Sequence, residues 1–266
     1  LTAAPGYDRI THVVWPESAV PYVLLREPQL LSDIADVLGS ERVLLVGAVR
    51  YEFRPGDPDP VYFNALHAIE ARPADDGVAP EVTGTFDKFH LVPFGEYLPL
   101  APLLSRIGLR QLAQGAGGFA AGPGPVTLEV SGAPPVSPLI CYEIIFPGSV
   151  TASDAPRPGW IVNLTNDAWF GDSSGPRQHL AMARMRAIES GLPVVRSANN
   201  GISAIIDPYG RFLSRLDLNG VGVVDGPLPK ALPPTPYDRI GDMLFLAFLI
   251  CGLSAIGIVR RLDVRA

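Results

Sequence analysis

A chain of 266 residues is long enough to bury the core of one large α/β domain or two small ones. Its 47% hydrophobic content marks a globular protein, and a formal net charge of −6 argues against a surface built to hold nucleic-acid phosphates. Cys141 and Cys251, the two cysteines, sit in contexts too different for a disulfide: Cys251 lies in an apolar run and Cys141 beside Tyr142-Glu143.

The chain opens on Leu1-Thr2-Ala3-Ala4-Pro5, neither a Met start nor the layout of a signal peptide, so a preceding segment is expected. Thr11 to Trp15 reads as a buried strand that stops at Pro16-Glu17. Pro28 to Leu38 reads as a helix, with Pro in its first turn and Gly39 after its end. Arg42–Glu52 and Val61–Glu70 follow as strands, and Arg72 to Gly77 as a hairpin-like return. Leucine spacing predicts a helix over Ala101–Ala113, and the five glycines and two prolines of Gly115–Pro125 predict a mobile loop.

Strands are then expected at Val126–Val130, Val136–Ile140, Trp160–Leu164, Val194–Ser197, Ile202–Ile206 and Phe212–Leu216, with a helix over Arg177–Ser190. Such alternation favours layered α/β, two sheets packed together with helices outside. No Gly-rich nucleotide fingerprint follows a strand, and no pair of residues has metal-ligand spacing, so no cofactor is expected.

Gly226 to Pro236 holds five prolines and reads as a stiff linker. Met243 to Val259 is a 17-residue run without a charge, and Ile240 and Gly241 extend it to the length of a membrane span. Arg260, Arg261 and Arg265 follow, so the positive-inside rule puts the C-terminus in the cytoplasm and the large domain on the other side.

Three places carry chemistry. Cys141 lies at a strand-to-helix turn, where backbone N–H groups can meet developing negative charge and favour thiolate over thiol; a buried structural cysteine is the bland alternative. Glu17 ends an apolar strand, where desolvation suits a carboxylate to proton removal; a turn cap is its alternative. Lys88 and Lys230 are the only lysines among 21 basic residues, and a compact ammonium at 88 does what arginine cannot. The four histidines, His12, His67, His90 and His179, have no diagnostic context as partners for Cys141.

Taken together, Trp15-Pro16-Glu17-Ser18, Lys88 within DKFHLVPFGEYLP and Leu139-Ile140-Cys141-Tyr142-Glu143 resemble the Glu-Lys-Cys triad of the nitrilase (carbon–nitrogen hydrolase) superfamily. Within it, HLVPFGEYLP, CYE and NLTNDAWFG are similar to the apolipoprotein N-acyltransferase family. The resemblance implies a nitrilase-like αββα sandwich over residues 1–225, a linker over 226–239, a membrane helix over 240–260 and a cytoplasmic tail over 261–266. It also implies a multi-helix membrane region ahead of this domain.

By that resemblance Glu17 is the general base, Lys88 the oxyanion-stabilising lysine and Cys141 the nucleophile. Glu96 orients the lysine, Tyr142 and Glu143 support the nucleophile, and Trp169, Phe170 and His90 meet substrate. The implied reaction moves a fatty acyl group from a phospholipid, through a thioester, to the N-terminal diacylglyceryl-cysteine of a lipoprotein at the bacterial inner membrane. A hydrolase of small amides with the same triad is the first alternative, and a binding domain without catalysis the second.

Overall fold

Among the residues described by the computed structural model (2, 6–56, 59–75, 77–100 and 118–263), nine strands form two sheets. The first runs β1 (His12–Val14), β2 (Val43–Glu52), β3 (Val61–Ala74) and β4 (Gly77–Asp87), with β1 parallel to β2 and the rest antiparallel. The second runs β5 (Val136–Ile140), β6 (Trp160–Asn166), β7 (Val194–Asn199), β8 (Ser203–Ile206) and β9 (Phe212–Leu216). Strands β5 to β7 are parallel, and β8 and β9 turn back antiparallel.

Side chains alternate across a strand, and the alternation assigns the layers. Leu45, Leu66, Ala68 and Phe86 of the first sheet meet Ile140, Val162 and Leu164 of the second in one buried core. The opposite face of the first sheet, including Leu44, Val46 and Ile69, packs on Ile34, Ala35 and Leu38 of helix α1 (Pro28–Leu38). The opposite face of the second, including Ile161, Val194 and Ala204, packs on Leu180, Ala183 and Ala187 of helix α2 (Gly175–Ser190). The result is the expected four-layer αββα sandwich. Each fully buried Leu or Ile in these layers contributes roughly 2 kcal/mol.

Helix α1 has the bounds its sequence announces, closed by Gly39 at φ 62°. Helix α2 begins two residues before the expected Arg177, because Pro176 sits in its first turn, where the missing N–H is no loss. The expected return near Arg72–Gly77 is the hairpin between β3 and β4. β4 itself escapes pattern reading because Pro80 and Gly84 interrupt it at the sheet edge.

Other expectations are corrected. Val126–Val130 forms no strand; its backbone meets the sheet at the Leu128–Val136 bridge, and Val126, Leu128 and Val130 pack into the core. Residues 118–125 of the glycine-rich stretch are tied down rather than loose: Phe119 N–H donates to Glu96 O, Ala120 N–H to Tyr62 O and Gly122 N–H to Lys88 O. The helix expected over Ala101–Ala113 lies outside the described residues.

The linker ends in a short helix, α3 (Pro236–Ile240), capped by the Thr235 hydroxyl on the Asp238 N–H. Gly241, at φ 52°, separates it from α4 (Met243–Asp263), so Ile240 and Gly241 do not belong to the long helix. Side chains of α4 are described as far as Ile256 and all are exposed. Among the described residues, no helix is long and apolar enough to cross a membrane.

Candidate active site

Parallel sheets place loops at the carboxyl ends of their strands, where ligands bind in open α/β folds. Cys141 follows β5 directly, Asn166 ends β6, Glu17 lies just beyond β1 and Lys88 just beyond β4. Backbone geometry fixes two of these. Gly47 of β2 lies so close to the Pro16-Glu17 segment that a Cβ there would be 2.6 Å from Glu17 Cα. Cys141 has φ 51°, a left-handed conformation costing a non-glycine residue about 1–2 kcal/mol, at the start of a short 3-10 turn over Cys141–Ile145.

These residues share a cavity of about 540 Å³, lined by Glu17, Lys88, Glu96, Cys141 and Tyr142 among others. Lys88 is 1% exposed, with Nζ 2.8 Å from Glu96 Oε1 and 3.5 Å from Glu17 Oε1. Glu17, 5% exposed, accepts from Asn64 Nδ2 at 2.7 Å and from the Asn166 N–H at 2.8 Å. Glu96 accepts from Asn64 Nδ2 at 2.9 Å and from the Val92 N–H at 2.8 Å. Two carboxylates therefore hold one ammonium, and the Asn64 amide bridges the carboxylates.

Burial works against the charge on Lys88, but the Glu17 charge, and the Glu96 charge with its hydrogen bond, outweigh it and hold its pKa above the ordinary lysine value. Burial and the Glu17 charge push the Cys141 thiol up to about 12, against Lys88, the Thr165 hydroxyl and the Asn166 N–H. The Asn166 amide acts in the expected direction, towards thiolate, but burial and the Glu17 charge act the other way and outweigh it. The Glu17 carboxylate shares the Asn166 N–H with the sulfur.

Glu143 is fully buried and staples the site together. Its Oε1 accepts from the Phe89 and His90 N–H groups at 2.8 and 3.1 Å, and its Oε2 from the Ile140 N–H at 2.7 Å. It thereby joins the turn after Lys88 to the strand end before Cys141. Burial pushes its carboxyl up to about 7 against these three donors.

Tyr142 lines the cavity and packs edge-on against Phe146 at 4.9 Å. Trp169 and Phe170, 76% and 44% exposed, line its outer part. His90 is not among the lining residues; it stacks on Phe146 with ring centroids 4.2 Å apart. Among the described residues, no group of three or more His, Cys, Asp or Glu side chains is arranged to hold a metal ion.

Sequence reasoning missed Asn64 and a buried polar group beside Cys141 made of His179, Asp167 and Arg196, of which His179 lines the cavity. Asn64 sits within an apolar strand and His179 on a helix, where neither has a local signal. Asp167 lies in the NDAWFG motif, which was read for its aromatics.

The profile described as "Carbon-nitrogen hydrolase" matches residues 3–232. This chain belongs to the carbon–nitrogen hydrolase family. Among family members it is 49% identical over 257 residues to an apolipoprotein N-acyltransferase of Bradyrhizobium diazoefficiens, covering 96% of this chain and 46% of that protein. An apolipoprotein N-acyltransferase of Rhodopseudomonas palustris is 48% identical over 239 residues, 90% of this chain and 43% of that one. The chain spans about half the length of these curated relatives. The fold matches an amidase from Nesterenkonia sp. at a TM-score of 0.54 and 18% identity, over 91% of this chain and 84% of that one.

Proposed function

We propose that this chain is the catalytic part of an apolipoprotein N-acyltransferase, moving a fatty acyl group from a phospholipid to the α-amino group of a lipoprotein's N-terminal diacylglyceryl-cysteine. One observation carries the reading: a cysteine in a left-handed turn shares a buried cavity with one lysine and two carboxylates, in a chain nearly half identical to proteins of that name.

Glu17 takes the Cys141 proton as sulfur attacks the ester carbonyl. Lys88 meets the oxyanion as a fixed charge, together with the Tyr142 backbone N–H, and Glu96 keeps Lys88 in place. The tetrahedral adduct collapses, the C–O bond breaks, and the lysophospholipid oxygen takes the proton from Glu17. The lipoprotein amine then attacks the thioester, Glu17 accepts its proton, the C–S bond breaks, and the departing sulfur takes that proton from Glu17 to leave the amide, the Cys141 thiol and the Glu17 carboxylate. Trp169 and Phe170, exposed at the outer part of the cavity, suit an acyl chain and exclude water from the thioester. His90 supports Tyr142 through Phe146.

In this reading residues 1–225 are the catalytic domain, 226–239 the connection, and α4 lies in the bacterial inner membrane, with the tail cytoplasmic and the catalytic domain periplasmic. Lipid would cover the exposed apolar side chains of Met243 to Ile256. Two-substrate kinetics test the transfer. Parallel double-reciprocal lines for phospholipid and diacylated lipopeptide are expected, and intersecting lines contradict a ping-pong route. The family's own description favours a second reading, hydrolysis of a small amide. Ammonia release from simple amides, without acylation of a lipopeptide, would replace the first reading by that one.

A further inference from the structure

Against the Cys141 carbonyl, and reaching the cavity wall at His179, lies a buried polar chain that the reaction above does not use. His179 Nε2 lies 3.0 Å from the Cys141 carbonyl oxygen, and its Nδ1 lies 2.8 Å from Asp167 Oδ1. Asp167 also accepts from the Thr165 hydroxyl at 3.0 Å and from Arg196 Nη2 at 2.7 Å. Arg196 donates through Nη1 to Asn163 Oδ1, and Asn163 Nδ2 donates to Leu139 O at 3.2 Å, which returns the chain to β5 two residues before Cys141. His179 is 5% exposed, Arg196 2% and Asp167 0%. Such a set is costly to bury unless its members satisfy one another.

Chemistry assigns the protons. A carbonyl oxygen only accepts, so Nε2 carries a hydrogen towards Cys141 O. Burial pushes the Asp167 carboxyl up, but the His179 hydrogen bond and the Arg196 charge outweigh it and hold it below the ordinary range. It is a carboxylate, and Arg196 Nη2 donates to its Oδ2 at 2.7 Å while lying 3.2 Å from His179 Nδ1, so the carboxylate and the guanidinium together fix the ring edge opposite Nε2. The ring is clamped on a third side. A Cβ at Gly201 would lie 2.4 Å from Asp167 Oδ2, so the turn between β7 and β8 walls in the carboxylate, and Phe170 packs edge-on against the imidazole at 5.8 Å.

What this clamp holds is a peptide group in a strained conformation. Among the described residues every peptide bond is trans. In a trans peptide the C=O and the following N–H point in opposite directions. Fixing the Cys141 C=O on His179 therefore aims the Tyr142 N–H away from His179, and a hydrogen bond on the carbonyl polarises that N–H further.

We propose that His179, held by Asp167 and Arg196, is a positioning residue that acts through the Cys141–Tyr142 peptide and aims the Tyr142 N–H at the oxyanion. The inference rests on the reading of Cys141 as nucleophile. It adds a second function to the turn: the left-handed φ at a residue lining the cavity also goes with a carbonyl turned to His179.

The test separates the two roles by reactions that differ in one respect. Acylation by p-nitrophenyl butyrate, followed as the nitrophenol burst, develops an oxyanion; alkylation by iodoacetamide, followed by mass on the Cys141 peptide at pH 9, does not. His179→Gln places an amide donor where Nε2 was, and His179→Asn places one where Nδ1 was. In the full chain, His179→Gln is expected to acylate within about tenfold of wild type, and His179→Asn to fall on the order of 10²-fold, the cost of one oxyanion donor. Alkylation should stay within about threefold in both.

The reverse order of the two variants, or acylation and alkylation falling in parallel, overturns the proposal in favour of a purely structural role. If His179→Asn gives no folded protein, His179→Gln decides alone: retained acylation supports the aim of the N–H, and a 10²-fold loss removes it. Failure of the nucleophile reading looks different, since wild-type burst label would then sit on a residue other than Cys141.

Discussion

The backbone N–H of Asn166 donates to Glu17 Oε2 at 2.8 Å, joining the end of β6 in one sheet to the segment after β1 in the other. Ser197 Oγ donates to Val14 O at 3.1 Å across the same seam. The candidate base is therefore set by contacts from the sheet that carries Cys141, and the site exists only when the two sheets are packed together.

Gly47→Ala should break that setting at its narrowest point. The new Cβ would meet Glu17 Cα at 2.6 Å and Pro16 O at 2.7 Å, both backbone atoms with little room to yield. Overpacking of this kind costs about 1–3 kcal/mol. Thermal unfolding should show that loss together with an acylation rate at least tenfold down; wild-type acylation would mean that Glu17 need not stay where it is.

Asn64→Leu should leave the Glu17 and Glu96 carboxylates without their shared amide donor. Removing a buried hydrogen-bond partner of a charged group costs about 1–3 kcal/mol. The acylation rate should fall about tenfold to a hundredfold, and Asn64→Asp, which adds a third carboxylate beside Lys88, should fall further. An Asp variant as active as wild type would contradict the ion cluster as drawn.

Lys88→Arg keeps the charge and should still lose activity by about a hundredfold or more. The side chain is 1% exposed and seated between two carboxylates, a point-charge site that a planar fork does not fit. Steady-state acyl transfer checks it; near-normal turnover would remove the fixed-charge role.

His67 gives a stability prediction independent of catalysis. It is fully buried on β3, its Nε2 has no hydrogen-bond partner among the described residues, and burial pushes its pKa down to about 4. The native state thus binds this proton more weakly than the unfolded state, whose pKa is near the ordinary 6.5. Stability is unaffected above about pH 6.5, falls as the pH drops towards 4, and levels off below it. A shift from 6.5 to about 4 corresponds to roughly 3 kcal/mol. Urea unfolding of wild type and His67→Leu from pH 7 to 4 should show the wild type losing that much more; parallel curves would contradict it.

The sequence carried most of the fold because its strands are apolar runs and its helices are bracketed by Pro and Gly. It carried Glu17, Lys88, Glu96 and Cys141 into one cavity because each stands in a motif with its own local context. β4 and Asn64 were not legible for a shared reason: edge pairing and cross-strand hydrogen bonds depend on which strand lies alongside. His179, Asp167 and Arg196 come from helix α2, the turn after β6 and β7, three elements whose meeting no spacing announces. The amide that favours the Cys141 thiolate is legible in the sequence, and the burial that opposes it is not.

The most direct test of the account is the covalent intermediate. The full chain is incubated with phospholipid carrying a labelled acyl chain and no amine acceptor, then digested and mapped by mass. One acyl group is expected on the Cys141 peptide, released by neutral hydroxylamine as a thioester is, and absent from Cys141→Ala. A full-strength adduct in that variant, or wild-type label on any other residue, would contradict the assignment of Cys141 as the nucleophile.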